Sequence, residues 1–397
     1  MLSALAEGRS EIVGISQGDD VYRTREIVTQ LGATVSEADG LVVVDGPLAL
    51  RASGKVLDCG NSGTTARLLT GFLGGVEGIH HLDGDASLRR RPMDRVAQPL
   101  HAMGIEIVGQ GERCLMPLTV RSTGSTQATI QTTPVASAQV KSALILAALF
   151  ADAPSVISEV TRTRSTTEEM LLDAGLDVRL EDWGDGRRVT VVPGRPTAHT
   201  WHVPRDPSQA AFFVVAGLVH RDARLRIPSV HNSDERIGFL SVLKRMGGSI
   251  TVQHRDHLID IDVESSSLSA TTIHAHEVPS VDEVPVLVVA ACAADGETRF
   301  VDMGELRLKE SDRFAESVGL ARSLGCEVSV DDDDFTVRGL GNPRLFAKIV
   351  SDHPGDHRMT MASTVAGVVG NGAIIEAPES VKSSFPDFFS LLTSVTV

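Results

Sequence analysis

The sequence predicts an α/β protein of two domains, and two recurring features predict it. The first is a phrase in which an amphipathic helix closes on a small or apolar residue plus glycine and then turns into a strand. It occurs as REIVTQLGATV (Gly32), VAQPLHAMGIEIV (Gly104), EEMLLDAGLDV (Gly175), FLSVLKRMGGSI (Gly247) and ARSLGCEVSV (Gly325), at intervals of 72, 71, 72 and 78 residues. Glycine suits that position because a helix C-terminus calls for a left-handed residue before the chain can leave as a strand. The second is a more apolar helix ahead of each phrase. Together they make a unit of about seventy residues of alternating strand and helix, the mark of a repeat architecture.

In chain order the apolar helices read GNSGTTARLLTGFLGG, VASAQVKSALILAALFAD, DPSQAAFFVVAGLVHRD, VDEVPVLVVAACAADG and GDHRMTMASTVAGVVGN. They are hydrophobic nearly all round, so burial is expected. A brief polar or Gly/Pro turn and a β-rich stretch such as SVISEV, TRFVDM or AIIEA follow. The opening MLSALAEG matches the tail of such a helix, as in LILAALFAD. Counting units in this register gives five whole copies and a sixth that stops after FPDFFSLLTSV. Three units reach about residue 204 and three follow, so the expected domains are residues 1–204, with an incomplete first repeat, and 205–397.

Composition narrows the function. A chain of 397 residues with 42% apolar content can give two domains a core each. No apolar stretch approaches the roughly eighteen residues of a membrane span, so a cytoplasmic protein without a membrane partner is expected. A net charge of -15 argues against nucleic acid. Cys59, Cys114, Cys292 and Cys326 lie far apart with no CxxC spacing, which argues against zinc and disulfides and predicts buried thiols. The DDDD run at 331–334 is expected to be a hairpin turn. It lacks the spacing of a calcium loop.

Chemistry is expected where the apolar helices begin, because helix N-termini carry partial positive charge and unpaired N–H groups. Those starts are polar: Asn61, Ser62, Gly63 and Thr64; Ser137, Ala138, Gln139 and Lys141; Asp282 and Glu283; Asp356, His357 and Arg358. Asn61, Ser137 and Asp206 each fit a plain helix cap. Arg67, Arg91, Arg313 and Arg358 stand near the same openings, and guanidinium forks bind carboxylate and phosphate bidentately. LRLKESDRF is expected to place Lys309, Glu310 and Arg313 in one turn at a helix start. Asp282 and Glu310 suit acid–base work beside cations. No Ser-His-Asp pattern, P-loop, GxGxxG or HExxH is present. Residue chemistry alone thus predicts a two-lobed α/β protein that binds small polyanions.

LDCGNSGTTARLLTG, LRRRPMDR, TPVASAQVKSALILAAL, VDEVPVLVVAA, ELRLKESDR, DHR and SFPDFF, in this order, resemble the 5-enolpyruvylshikimate-3-phosphate (EPSP) synthase family from Gly8 to the chain end. The resemblance implies an inside-out α/β barrel fold of two domains, each built from three βαβαββ repeats. It implies transfer of the carboxyvinyl group of phosphoenolpyruvate to the 5-hydroxyl of shikimate 3-phosphate with release of phosphate, by a monomer, using no metal and no organic cofactor. By the same resemblance Ser137, Ala138 and Gln139 hold shikimate 3-phosphate, with Thr163 where the family usually has serine. Arg91, Arg313 and Arg358 clamp phosphoenolpyruvate, and the backbone from Asn61 to Gly63 approaches it. Asp282 takes the hydroxyl proton, Glu310 relays protons at the methylene carbon, and Lys309 contacts the shikimate phosphate.

Departures from the family pattern qualify this. Its first motif, Gly-x-Lys-Ser followed by an Arg, would fall just before Met1, so little or no activity is expected of the chain as written. Ser383 stands where some members have lysine. Three rivals remain: a UDP-sugar enolpyruvyl transferase, which usually carries a cysteine in the loop matching DASLRRRP; an inactive paralogue that binds a phosphorylated ligand; and an RNA 3'-phosphate cyclase, which the acidic charge disfavours. A hinge is expected near residue 204, and the small Gly63 is expected to admit glyphosate.

Overall fold

The computed structural model describes residues 1–395. Its backbone divides into two compact units, Met1–Val203 and Pro204–Val397. In the first, the repeat appears as three four-stranded sheets of one design. Val56–Asp58 runs parallel to Gly78–Asp83, which pairs antiparallel with Leu115–Ser122, and Glu106–Gln110 completes the sheet. Ile130–Thr132, Ser155–Glu159, Gly186–Val191 and Val178–Trp183 repeat that order. A parallel pair needs a crossover, and the apolar helices Gly63–Phe72 and Ala138–Ala148 supply it.

The sheet of Gly8–Val13, Leu41–Gly46 and Thr34–Ala38 takes its parallel strand from the far end of the unit: Thr200–His202 lies beside Gly8–Val13, with Glu11 opposite Thr200 and Val13 opposite His202.

The second unit varies the theme. Thr272–His274, Asp295–Val301, Asp334–Leu340 and Glu327–Asp331 form the full four-stranded sheet. In the sheet of Arg224–His231, Leu258–Glu264 and Ser249–Arg255, a single parallel bridge from Arg205 to Val230 stands, among the described residues, where the short strand would lie. Ile349–Ser351 and Ala373–Ile375 pair alone. Asp331 pairs with Asp334, so the acidic run is the expected hairpin turn.

The apolar helices form the core of each unit. Every residue of Val284–Ala293 is buried, and Pro207–Val219 and His357–Val369 are nearly so. Each Val or Leu buried in this way contributes about 1.5–3 kcal/mol. In the first unit, the Gly63–Phe72 and Ala138–Ala148 helices meet so closely that a Cβ on Gly71 would lie 1.9 Å from the Ala143 carbonyl oxygen. The outer helices end as expected, since Gly32, Gly104, Gly175, Gly247 and Gly325 all have positive φ. The α/β repeat fold is therefore the one the sequence implied. One expectation fails: Cys59, Cys292 and Cys326 are buried, but Cys114 is only half-buried. It sits at φ 51 in the turn between Glu106–Gln110 and Leu115–Ser122, where the chain runs over the surface.

Candidate functional site

In the first unit, two helix N-termini meet through side chains. Ser62 caps Gly63–Phe72 by accepting from the Thr65 amide at 3.1 Å, so the cap is Ser62 and not Asn61. Asn61 is left to accept from Arg91 Nη2 at 2.6 Å and to donate to Asp85 at 2.8 Å. Gly63 leaves space for the guanidinium groups, since a Cβ there would sit 3.0 Å from Arg91 Nη1 and 3.4 Å from Arg67 Nη1. Arg67 donates to Gln139 Oε1, and Gln139 Nε2 donates to Thr64 Oγ1 at 2.8 Å. Ser137 caps the Ala138–Ala148 helix, with Ala138 and Gln139 in its first turn. The run LRRRPMDR divides: Arg89 pairs with Asp83, Arg90 is exposed, and Arg91 alone turns to Asn61.

Thr163 lies in the loop after Ser155–Glu159, its hydroxyl donating to Glu159 Oε2 at 2.6 Å. Glu159 also contacts Lys141 at 3.1 Å, and Lys141 contacts Glu168 at 2.7 Å. All three are buried. A lysine inside AQVKSALILAA was the only sign of this cluster in the sequence, and the two carboxylates that meet it lie 18 and 27 residues away.

In the second unit, Arg313 is the centre of a buried charge network. Its Nε donates to Asp356 at 2.8 Å, Nη1 to Asp282 at 2.9 Å, and Nη2 meets Glu310 at 2.6 Å. Burial opposes its charge, but Asp356, Glu310 and Asp282 hold it protonated beyond the usual arginine range. Burial would likewise raise the Asp356 acid, yet Arg313 overrides this and brings it to about 2. Asp356 also caps the His357–Val369 helix through the amides of Arg358 and Met359. His357 is pushed down to about 4 by burial and by the neighbouring Arg358 and Arg313.

Arg358 has two donors to spare: among the described residues its buried Nε and Nη1 have no hydrogen-bond partner, and the carboxylate of Asp282 is 3.8 Å away. Such a guanidinium is suited to an anion from outside the chain. Lys309 Nζ donates to the Ser280 carbonyl at 3.2 Å and stands 4.0 Å from Asp282. Lys309 and Glu310 do not lie within the helix turn as expected; Asp312 caps a helix that starts at Arg313, and the two precede the cap. The starts of two further helices join the network, for Arg236 donates to Asp206 at 2.7 Å and to Ser208, and Ser208 donates to Glu283. Among the described residues no group of three His, Cys, Asp or Glu could hold a metal ion, and no helix is long and apolar enough to cross a membrane.

Repeated strand–helix units around buried helices, with arginines and carboxylates near the helix N-termini of each unit, define an enolpyruvyl transferase fold. The chain matches the enolpyruvyl transferase NikO of Streptomyces tendae with a TM-score of 0.75 at 15% identity, covering 99% of this chain and 90% of that one, a likeness of fold. A sequence model of EPSP synthase (3-phosphoshikimate 1-carboxyvinyltransferase) matches residues 1–392. The chain belongs to the EPSP synthase family. The 3-phosphoshikimate 1-carboxyvinyltransferase of Streptococcus mutans is 38% identical over 407 residues, covering 100% of this chain and 93% of that protein. That of Parasynechococcus marenigrum is 40% identical over 403 residues, with 98% and 90% covered. The solved EPSP synthase of Acinetobacter baumannii has a TM-score of 0.87 at 32% identity, with 100% and 92% covered.

Proposed function

We propose that this protein transfers the carboxyvinyl group of phosphoenolpyruvate to the 5-hydroxyl of shikimate 3-phosphate and releases phosphate, working in the cytoplasm as a monomer. The observation that carries the reading is the match to the EPSP synthase family along both units. The open donors of Arg358 support it, because both substrates are anions.

On this reading the first unit offers Ser137, Ala138, Gln139 and Thr163 to shikimate 3-phosphate, and Asn61, Gly63 and Arg91 to phosphoenolpyruvate. The second unit offers Arg358 and Arg313 to phosphoenolpyruvate and Lys309 to the shikimate phosphate. Asp282 takes the proton of the 5-hydroxyl as its oxygen bonds to C2 of phosphoenolpyruvate. Glu310 delivers a proton to the methylene carbon, and a tetrahedral adduct results. Phosphate then leaves as Glu310 takes back one methyl proton, which restores the vinyl group. Fixed guanidinium groups aimed at developing charge lower such a barrier because they need no reorganisation.

The test is phosphate release with both substrates, together with the mass of the organic product. Whatever the rate, the organic product expected is the enolpyruvyl ether of shikimate 3-phosphate, and calorimetry should find shikimate 3-phosphate bound. Faster turnover with a UDP-sugar acceptor, or no binding of shikimate 3-phosphate, overturns the reading.

A further inference from the structure

The mechanism above makes no use of the buried cluster of Lys141, Glu159 and Glu168 in the first unit. All three side chains are at most 1% exposed. Lys141 Nζ reaches Glu159 at 3.1 Å, Glu168 at 2.7 Å and the Thr163 carbonyl oxygen at 3.3 Å. Glu159 in turn accepts from the Thr163 amide at 3.1 Å and from its hydroxyl at 2.6 Å. The cluster therefore ties together three pieces of chain: the first turns of the Ala138–Ala148 helix, the end of strand Ser155–Glu159, and the start of the Thr166–Asp173 helix. A further bond from Ser142 to Thr167, at 2.7 Å, joins the same helices.

Burying one ammonium and two carboxylates is a poor way to gain stability, since well-packed apolar residues of the same volume do as well or better. Burial raises the Glu168 acid even against the pull of Lys141. What the cluster does achieve is geometric. Lys141 is two residues beyond Gln139 and holds, by its far end, the loop that carries Thr163. The Thr163 hydroxyl is fixed in rotamer and in the direction of its proton, which points at Glu159.

We propose that Lys141, Glu159 and Glu168 are positioning residues for shikimate 3-phosphate, setting the distance and orientation of Thr163 relative to Ser137, Ala138 and Gln139. This rests on the reading that those residues hold that substrate. The experiment is a double-substitution cycle with shikimate 3-phosphate binding followed by calorimetry. Thr163→Val weakens binding roughly tenfold, the cost of one hydrogen bond at about 1.4 kcal/mol. Glu159→Gln weakens it by a similar factor. The two together are no worse than about threefold beyond the weaker single variant, because the second change acts through the first. In turnover, Glu159→Gln raises KM for shikimate 3-phosphate and leaves kcat and the KM for phosphoenolpyruvate within about twofold.

Wild-type binding by Glu159→Gln alongside impaired Thr163→Val overturns the positioning role alone. So do fully multiplicative losses, or equal losses for both substrates. Wild-type binding by both Thr163→Val and Ser137→Ala overturns the underlying assignment instead. Should Glu159→Gln fail to fold, hydrogen exchange on the unaltered protein decides the matter. The Thr163 amide is protected before any ligand is added; free exchange that slows only with shikimate 3-phosphate overturns the proposal.

Discussion

Asp356→Asn removes one charge from the ion network around the buried Arg313 while keeping the side chain's shape. Asp356 and Arg313 are each 1% exposed and meet at 2.8 Å. Asparagine can still cap the His357–Val369 helix through its carbonyl oxygen, so the cap bonds to Arg358 and Met359 survive. What is lost is a buried partner of Arg313. Breaking a buried pair costs about 3–5 kcal/mol, and since Arg313 keeps Asp282 and Glu310 the lower end applies. The acidity of Asp356 gives an independent figure. A folded-state value of about 2, against about 3.9 unfolded, corresponds to about 2.6 kcal/mol.

The sign of the pH effect follows from the depressed value. The contribution is fully present above the unfolded pKa and is lost as pH falls through the folded one, so it should shrink to about half by pH 3. The assay is urea unfolding of both proteins at pH 7, 4 and 3. A gap of about 3 kcal/mol at pH 7 that narrows on acidification is expected. A gap below about 1 kcal/mol at pH 7, or one unchanged at pH 3, refutes the reasoning.

Three further outcomes are expected. Gly63→Ala places a Cβ 3.0 Å from Arg91 Nη1, so the guanidinium shifts and KM for phosphoenolpyruvate rises several-fold with unchanged circular dichroism; an unaltered KM counts against Arg91 as a ligand residue. Gly71→Ala forces a Cβ to 1.9 Å from the Ala143 carbonyl oxygen and should lower stability by roughly 3 kcal/mol or more in thermal unfolding; a melting temperature within 2 °C of the parent would be inconsistent with the close helix contact. His357, brought down to about 4 by burial and its arginine neighbours, stays neutral in the folded protein while the unfolded chain gains a proton near 6.5, so it favours unfolding increasingly as pH falls between those values. NMR titration of its imidazole should find a midpoint well below 6, and His357→Gln should flatten stability across that range.

The repeat was legible because its punctuation is local: a helix end that needs a left-handed residue selects glycine wherever it recurs, and Gly32, Gly104, Gly175, Gly247 and Gly325 all adopt that conformation. Burial of the apolar helices was equally plain from their composition. The site was readable only in part. That polar residues stand at helix starts follows from spacing, but which of them pair does not. Nothing near Arg313 in the sequence announces Asp356, 43 residues on, as its closest buried carboxylate. Capping by Ser62 instead of Asn61 turns on one residue of register, and only that register frees Asn61 to meet Arg91. The Lys141 cluster was hidden for a similar reason, since a single lysine in an apolar helix does not say which acids will satisfy it.

The pairing of Thr200–His202 with Gly8–Val13 has a bearing on biogenesis. Strand Gly8–Val13 cannot finish its sheet until almost two hundred later residues have been made, and until then it keeps a bare β edge, the kind that invites illegitimate partners. Translation halted short of Thr200 leaves that clasp open.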